Sequence, residues 1–406
     1  MIGYHASWIV PISGPPIRDG WVVLDGGRVR ASGAPTPGAA IRNVEREVDL
    51  GHVAIMPGLV NAHTHLELSH LEGRVPAGGA FVEWIRTLLA ERRRYPDPSA
   101  PEIVQSAERA IAEACRCGTA VVGDISNTLV TVALLARSSL AALVFYELFG
   151  FNTATPVELV ERARERIDGL QPIDRVRVSL AAHAPYSVAS GVFEAMWRSL
   201  ERDGQRPCSV HLSESRDELE FVRTGSGPCR VLLEELGVWN PAWVPPGVSP
   251  VQYVDRTGFL RSRTLAVHGV QATPADLATL VARQATLVTC PRSNAHTGAG
   301  RPPIEAFYES GVRVAIGTDS LASTPDLNLF SELAEMRALA PTLPAGMLLD
   351  SATRQGAQAL AFDDYGTIEP GQHARLIAVD TPPGINDVEE YLVSGIQSEQ
   401  VRWIEE

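Results

Sequence analysis

From residue 57 onward, short apolar runs alternate with longer stretches of helical period. The apolar runs are 57–62, 119–124, 141–147, 175–182, 207–212, 263–268, 285–290 and 312–318. Each has the length of a strand, and helical patterns such as 102–117, 156–168 and 275–283 lie between them. Eight strand-then-helix units predict a parallel (β/α)8 barrel of the TIM type, because parallel neighbours need a crossover and the helix supplies it. The two ends of the chain read differently. Residues 1–55 carry short strands split by turns, such as Trp21–Leu24, the turn at Asp25-Gly26-Gly27, and Arg28–Arg30. The C-terminal end mirrors this, with Gly366–Gly371 leading into Ala374–Val379.

Catalytic residues of such a barrel belong at the C-terminal ends of its strands, and the chemistry-bearing residues fall there. An apolar run, Val53–Met56, leads through Pro57-Gly58 into Leu59-Val60-Asn61-Ala62-His63-Thr64-His65. Residues i and i+2 of a strand share a face, so His63 and His65 project together. His183, His211, His268 and Asp319 each end or follow a later apolar run. His63, His65, His211 and Asp319 supply three nitrogens and one carboxylate, a set that suits one divalent ion. Zinc is favoured, and Fe2+ or Mn2+ would also accept it. Gly317 precedes Asp319 by two residues and permits close approach. Glu214 follows His211 where the strand has ended, so it can turn toward the same pocket. A bound ion lowers the pKa of water to about 7, and Glu214 is the expected proton shuttle. His268 is either a further ligand or a group that orients the water. His183, just before the loop opened by Pro185, is an expected substrate contact. So are Glu67, which keeps the parity of His63 and His65, and Glu147, which ends the third run. His5, His52, His70, His296 and His373 are set aside.

Composition narrows the function. The 406 residues suffice for a large domain and a small one. A net charge of −13 argues against a nucleic-acid partner, which needs a basic face. It leaves room for an anionic small molecule held by one or two local arginines. All 35 basic residues are arginine, so a Schiff base and a lysine nucleophile are excluded. The odd set of cysteines, Cys115, Cys117, Cys208, Cys229 and Cys290, with no export pattern at the N-terminus, predicts reduced thiols in the cytoplasm. No apolar stretch reaches the ~18 residues of a membrane span. One connection, 215–261, is long and holds Trp239, Trp243 and Pro245-Pro246-Gly247. It reads as a lid or binding wall over the barrel mouth, or as a surface excursion with its own helix at Arg230–Leu236.

The segments PGLVNAHTHLELS, HAPYS, VHLSES, LAVHGV, CPRSN and GTDSLAS occur in that order. Together they resemble the amidohydrolase superfamily, nearest its cytosine-deaminase and chlorohydrolase-like branch, from about Met56 to the C-terminus. The resemblance implies a barrel hydrolase over 56–362 and one small β-sandwich built from 1–55 with 363–406. It implies a single ion, because the carbamylated-lysine bridge of some relatives is impossible here. It gives Glu214, His268 and Asp319 the catalytic work, with His268 hydrogen-bonding water and substrate. Ser293 and Asn294 would shape the loop beside the substrate ring. Arg375 stands where the family pattern usually has Asp. HTHLELS, FVEWI, residues 247–251 and GTDSLAS are most similar to the aminodeoxyfutalosine deaminases of that branch. Release of ammonia from an adenine-type ring is therefore expected. Guanine- or cytosine-type deamination, chlorohydrolysis and cyclic-amide hydrolysis would use the same barrel and ion, and a non-catalytic scaffold is a remote further reading. A ribose bearing an aromatic carboxylate calls for an arginine, and Arg74, Arg86 and Arg223 follow pocket motifs. Homodimers are common among such relatives.

Overall fold

In the computed structural model, which describes residues 1–404 apart from 35–43, 172, 203 and 205, eight parallel strands stand side by side in chain order. They are β1 (Leu59–Thr64), β2 (Thr119–Ser126), β3 (Ala141–Leu148), β4 (Val176–Ala182), β5 (Cys208–Leu212), β6 (Thr264–His268), β7 (Thr286–Thr289) and β8 (Arg313–Ile316). Nearly every residue in them is buried, which is why the sequence shows continuous apolar runs and not alternation. The ring closes between β8 and β1. There the Asp319 amide donates to the His63 carbonyl at 3.0 Å. The Asn61 side chain donates to Thr318 Oγ1 at 2.7 Å and accepts from the Thr318 amide at 3.1 Å. A Cβ on Gly317 would lie 2.6 Å from the His63 carbonyl oxygen, so the closure needs glycine.

Two smaller sheets lie outside the barrel. One has the order Arg28–Gly33, Trp21–Asp25, Ile2–His5, Arg46–Asp49. The other has the order Val401–Trp403, Leu376–Asp380, Val53–Pro57, Trp8–Ile9, Ile17–Arg18. The second joins the two ends of the chain, with Leu376–Asp380 antiparallel to Val53–Pro57. Tyr4, Val22, Leu24 and Val29 of the first sheet share an apolar core with Ile9, Ile55, Leu376 and Ala378 of the second. The alternate residues Ala54 and Met56 face the other way, into the core that continues through the barrel. Arg375 lies over the Trp403 ring at 3.9 Å, and its carbonyl accepts from the Gly58 amide at the start of β1.

The first barrel strand starts two residues later than expected, because Val53–Pro57 is taken up by the small sheet. Gly58 makes the break, and a Cβ there would lie 2.7 Å from Ala120 Cβ. His65 falls one residue beyond β1, just before a short 3-10 helix at Leu66–Leu71. The helices Pro101–Arg116, Pro156–Asp168 and Pro274–Ala282 lie where the periodicity places them. Helix α1 (Phe81–Arg92) follows the first histidine pair. The 215–261 connection holds three helices and not one: Arg216–Thr224, α2 (Pro228–Glu235) and Pro250–Arg256. Among the described residues no helix is long and apolar enough to cross a membrane, and all five cysteines are unpaired.

The closure predicts the behaviour of one small substitution. Gly317→Ala should destabilise the protein by about 1–3 kcal/mol, the usual cost of overpacking. Denaturant unfolding measures this, and a variant as stable as wild type would show that β8 has room to move away from β1.

Candidate active site

The strand ends bring the expected donors together. His65 Nε2 lies 3.2 Å from His63 Nε2. Asp319 Oδ1 lies 3.5 Å from the first and 3.9 Å from the second. The ligand atoms of His63, His65 and His211 are all within 4.8 Å of one another, as are those of His63, His268 and Asp319. Two donors each about 2 Å from one tetrahedral ion stand roughly 3.3 Å apart, so this spacing fits a single shared ion. Burial holds the pKa of His63, His65 and His211 below that of free imidazole, and in His63 the neighbouring His65 and His211 add to it. Neutral imidazole is the form that binds a metal. His211 Nδ1 lies 2.9 Å from the His183 carbonyl. A carbonyl only accepts, so Nδ1 carries the hydrogen and Nε2 keeps its lone pair. Burial pushes the Asp319 carboxyl up, but His65, His268 and the Ser293 hydroxyl more than offset this, and it lies below its usual value.

Glu214 Oε1 stands 3.6 Å from His268 Nε2. Burial, then Asp319 and Glu218, raise the Glu214 carboxyl well above the ordinary range. Glu218 fixes the turn after β5 by accepting from the Ser213 amide at 3.0 Å and the Glu214 amide at 2.7 Å. Its own carboxyl is pushed up to about 7 by burial. By its place in the sequence Glu218 reads as a solvated loop residue, yet it is fully buried. Ser293 and Asn294 also require correction. They were expected beside the substrate ring, but both are buried away from the cavity lining. Ser293 Oγ donates to Asp319 Oδ2 at 2.6 Å, and Asn294 Nδ2 donates to His268 Nδ1 at 2.9 Å. They hold the groups that face the cavity.

That cavity, of about 470 Å³, opens above the donors. His65, His183, His211, Glu214, His268 and Asp319 line its floor. Its walls are apolar: Phe81, Trp84, Ile85, Leu88 and Leu89 along one stripe of α1, with Phe149, Phe151, Leu232, Leu233, Leu236 and Val238 opposite. The 215–261 connection is thus a wall of the cavity. His183 is fixed by Ser187 Oγ at 2.6 Å and by the Phe149 ring at 4.4 Å. Glu147 lines the cavity and accepts from Asn127 Nδ2 at 2.7 Å, while its other oxygen lies 3.6 Å from His211 Nδ1.

Glu67 does not reach this cavity, contrary to expectation. Its carboxylate accepts from Ser126 Oγ, Thr128 Oγ1, the Asn127 and Thr128 amides and Arg92, all between 2.6 and 3.2 Å. It ties the loop after β2 to the turn after β1. Nor do the three candidate arginines line the cavity. Arg86 pairs with Glu83 and Glu235. Arg74 lies over the Tyr95 ring at 5.5 Å, and Arg223 is exposed on the helix Arg216–Thr224. The arginine in the wall is Arg92, at the last position of the α1 stripe.

A closed parallel barrel with histidines and carboxylates converging at its strand ends defines a metal-dependent hydrolase. The chain belongs to the amidohydrolase family, whose model matches residues 54–400. It is 32% identical over 354 residues to the aminodeoxyfutalosine deaminase of Deinococcus radiodurans, covering 84% of this chain and 81% of that protein. It is 29% identical over 377 residues to a 5-methylthioadenosine/S-adenosylhomocysteine deaminase of Nitratidesulfovibrio vulgaris, covering 90% and 79%. The crystal structure of an adenosine deaminase from Xanthomonas campestris with bound zinc is similar at a TM-score of 0.83 and 30% identity, over 98% of this chain and 90% of that one.

Glu218 gives the test of this framework. In Glu218→Gln only one oxygen remains to meet two amides, so unfolding should show a loss of about 1–3 kcal/mol. Metal content should be unchanged, since Glu218 touches none of the converging donors. Wild-type stability in the variant would mean that the turn is set by something else.

Proposed function

We propose that this protein is a zinc-dependent deaminase that removes the 6-amino group of an adenine nucleoside, with aminodeoxyfutalosine as its preferred substrate. The observation that carries the reading is the facing pair Glu214 and His268, 3.6 Å apart beside four converging donors on the floor of an apolar cavity. His63, His65, His211 and Asp319 would hold one ion, which supplies the Lewis acidity that makes water a nucleophile at neutral pH. The names of the relatives, all adenine-nucleoside deaminases, favour this ring over guanine, cytosine or a triazine. Five unpaired cysteines are in keeping with a reducing cytoplasm.

The residues divide the work between walls and floor. The apolar walls take the nucleoside and exclude bulk water. His183 contacts the base. His268, its Nδ1 engaged by Asn294, turns an Nε2–H toward the floor and orients the attacking water. Glu214, protonated in its buried setting, gives a proton to the ring nitrogen next to C6 as the water oxygen bonds to C6. It then takes the remaining water proton and passes it to the amino group. The C6–N bond breaks, ammonia leaves and the ring keeps the oxygen.

Three measurements test this. Elemental analysis should find about one divalent ion per chain, and two tightly held ions would refute the donor assignment. Glu214→Gln should keep its metal and lose about 10²–10⁴-fold in kcat, whereas near wild-type turnover would remove Glu214 from the proton path. Ammonia release should be fastest with aminodeoxyfutalosine among that nucleoside, 5′-methylthioadenosine, adenosine and guanine. Equal or faster turnover of guanine would overturn the adenine assignment.

A further inference from the structure

We propose that Arg92 is the residue that selects a carboxylate on the substrate's ribose arm, with the apolar stripe of α1 as the bed for that arm. The proposal rests on the adenine-nucleoside reading above and says which group of the protein reads the rest of the molecule.

Among the described residues Arg92 is the arginine in the cavity wall, and its side chain is 30% exposed. It extends the face made by Phe81, Trp84, Ile85, Leu88 and Leu89, because residues at spacings of three and four share one side of a helix. A molecule lying along that face meets apolar surface first and a cation at its end. The guanidinium makes one hydrogen bond, to Glu67 Oε1 at 3.1 Å, out of five N–H donors. Glu67 has no special need of it, since four other donors already meet that carboxylate. A purely structural ion pair would not leave most of the donors facing a cavity. Glu67 instead anchors one corner of the planar fork and leaves the others free for a second carboxylate, a contact that is charge-assisted and often bidentate.

The charges of the cavity sharpen the argument. Glu147, Glu214 and Asp319 line the same space, so an anionic substrate meets acidic groups wherever it lies. One wall cation is what makes an anion acceptable there. Position matters as well as charge: the two neighbouring arginines, Arg93 and Arg94, do not line this cavity.

The test compares kcat/KM for aminodeoxyfutalosine and for 5′-methylthioadenosine, which shares the ring and sugar but has no carboxylate. In Arg92→Gln the value for aminodeoxyfutalosine should fall roughly 10- to 100-fold, mostly through KM. The value for 5′-methylthioadenosine should stay within about threefold of wild type, as expected for a contact it never makes. Arg92→Lys should recover part of the loss, since it restores the charge without the fork. Equal losses on both nucleosides, or no loss on either, overturn the assignment and leave the deaminase reading intact. Wild-type enzyme that deaminates neither nucleoside overturns both. If the variant is too unstable to assay, the wild-type enzyme decides: KM for the carboxylate substrate should rise with salt while KM for 5′-methylthioadenosine does not, and equal salt responses overturn the assignment.

Discussion

The close approach of β8 to β1 is the contact on which the site depends. Gly317 brings the last strand against His63, and the Asp319 amide then takes the His63 carbonyl. Thr64 Oγ1 adds a bond to the Asp319 carbonyl at 2.9 Å. A histidine donor and the carboxylate donor are thus joined through their own backbones, with no side-chain freedom between them. Asp319 and His268 both adopt left-handed backbone, with φ of 62° and 79°. Such conformations cost about 1–3 kcal/mol each and persist where the surroundings over-determine them. The closed ring supplies that determination.

The floor concentrates ionisable groups where water is scarce, and an unpaired buried charge is expensive. The carboxylates meet this in different ways. Asp319 stays ionised because imidazoles and the Ser293 hydroxyl face it. Glu67 and Glu218 are surrounded by N–H and O–H donors. Asp124, with only the Leu66 amide and Thr131 hydroxyl to meet it, is pushed by burial up to about 8. Glu214 has no donor to its carboxylate among the described contacts, so burial and the nearby acids keep its proton on. The same environment that would be a defect elsewhere is what equips this residue to give a proton away.

The strand order and the converging donors were legible in the sequence because both rest on local rules. Strand-length apolar runs recur eight times, and His63, His183, His211, His268 and Asp319 fall where those runs end. What escaped depends on contacts far apart in the chain. Glu67 has the right parity for the pocket, yet Ser126, Asn127 and Thr128 from the next strand's end saturate it. Arg86 follows FVEWI closely, but it lies off the cavity-facing stripe of α1 and meets Glu235, 149 positions later. Arg92 has the correct spacing, which is visible only once α1 is known to lie across the barrel mouth. Ser293 and Asn294 were placed near the substrate, but one level too close, since the donors they support stand in front of them.

Floor and walls are therefore held by different forces. The floor sits on strand ends fixed by ladder hydrogen bonds and by the ring closure. The walls come from α1 and α2, linked by Arg86 and Glu235 at 2.8 and 3.1 Å. That pair is half in solvent, and such pairs contribute about 0–1 kcal/mol, too little to set the wall by itself. Aromatic packing behind α2 contributes more. Phe221 stacks on Trp243 with centroids 4.7 Å apart, and Phe151 stacks on Trp239 at 5.7 Å. Stacked aromatic pairs contribute about 0.5–1.5 kcal/mol each beyond the area they bury. The tryptophans of the long connection thus hold up the wall, while Phe151 shows its other side to the cavity. Substitutions in α1 and α2 can reshape what the cavity accepts without moving the donors beneath, which gives one chemistry on the floor the means to serve different substrates above it.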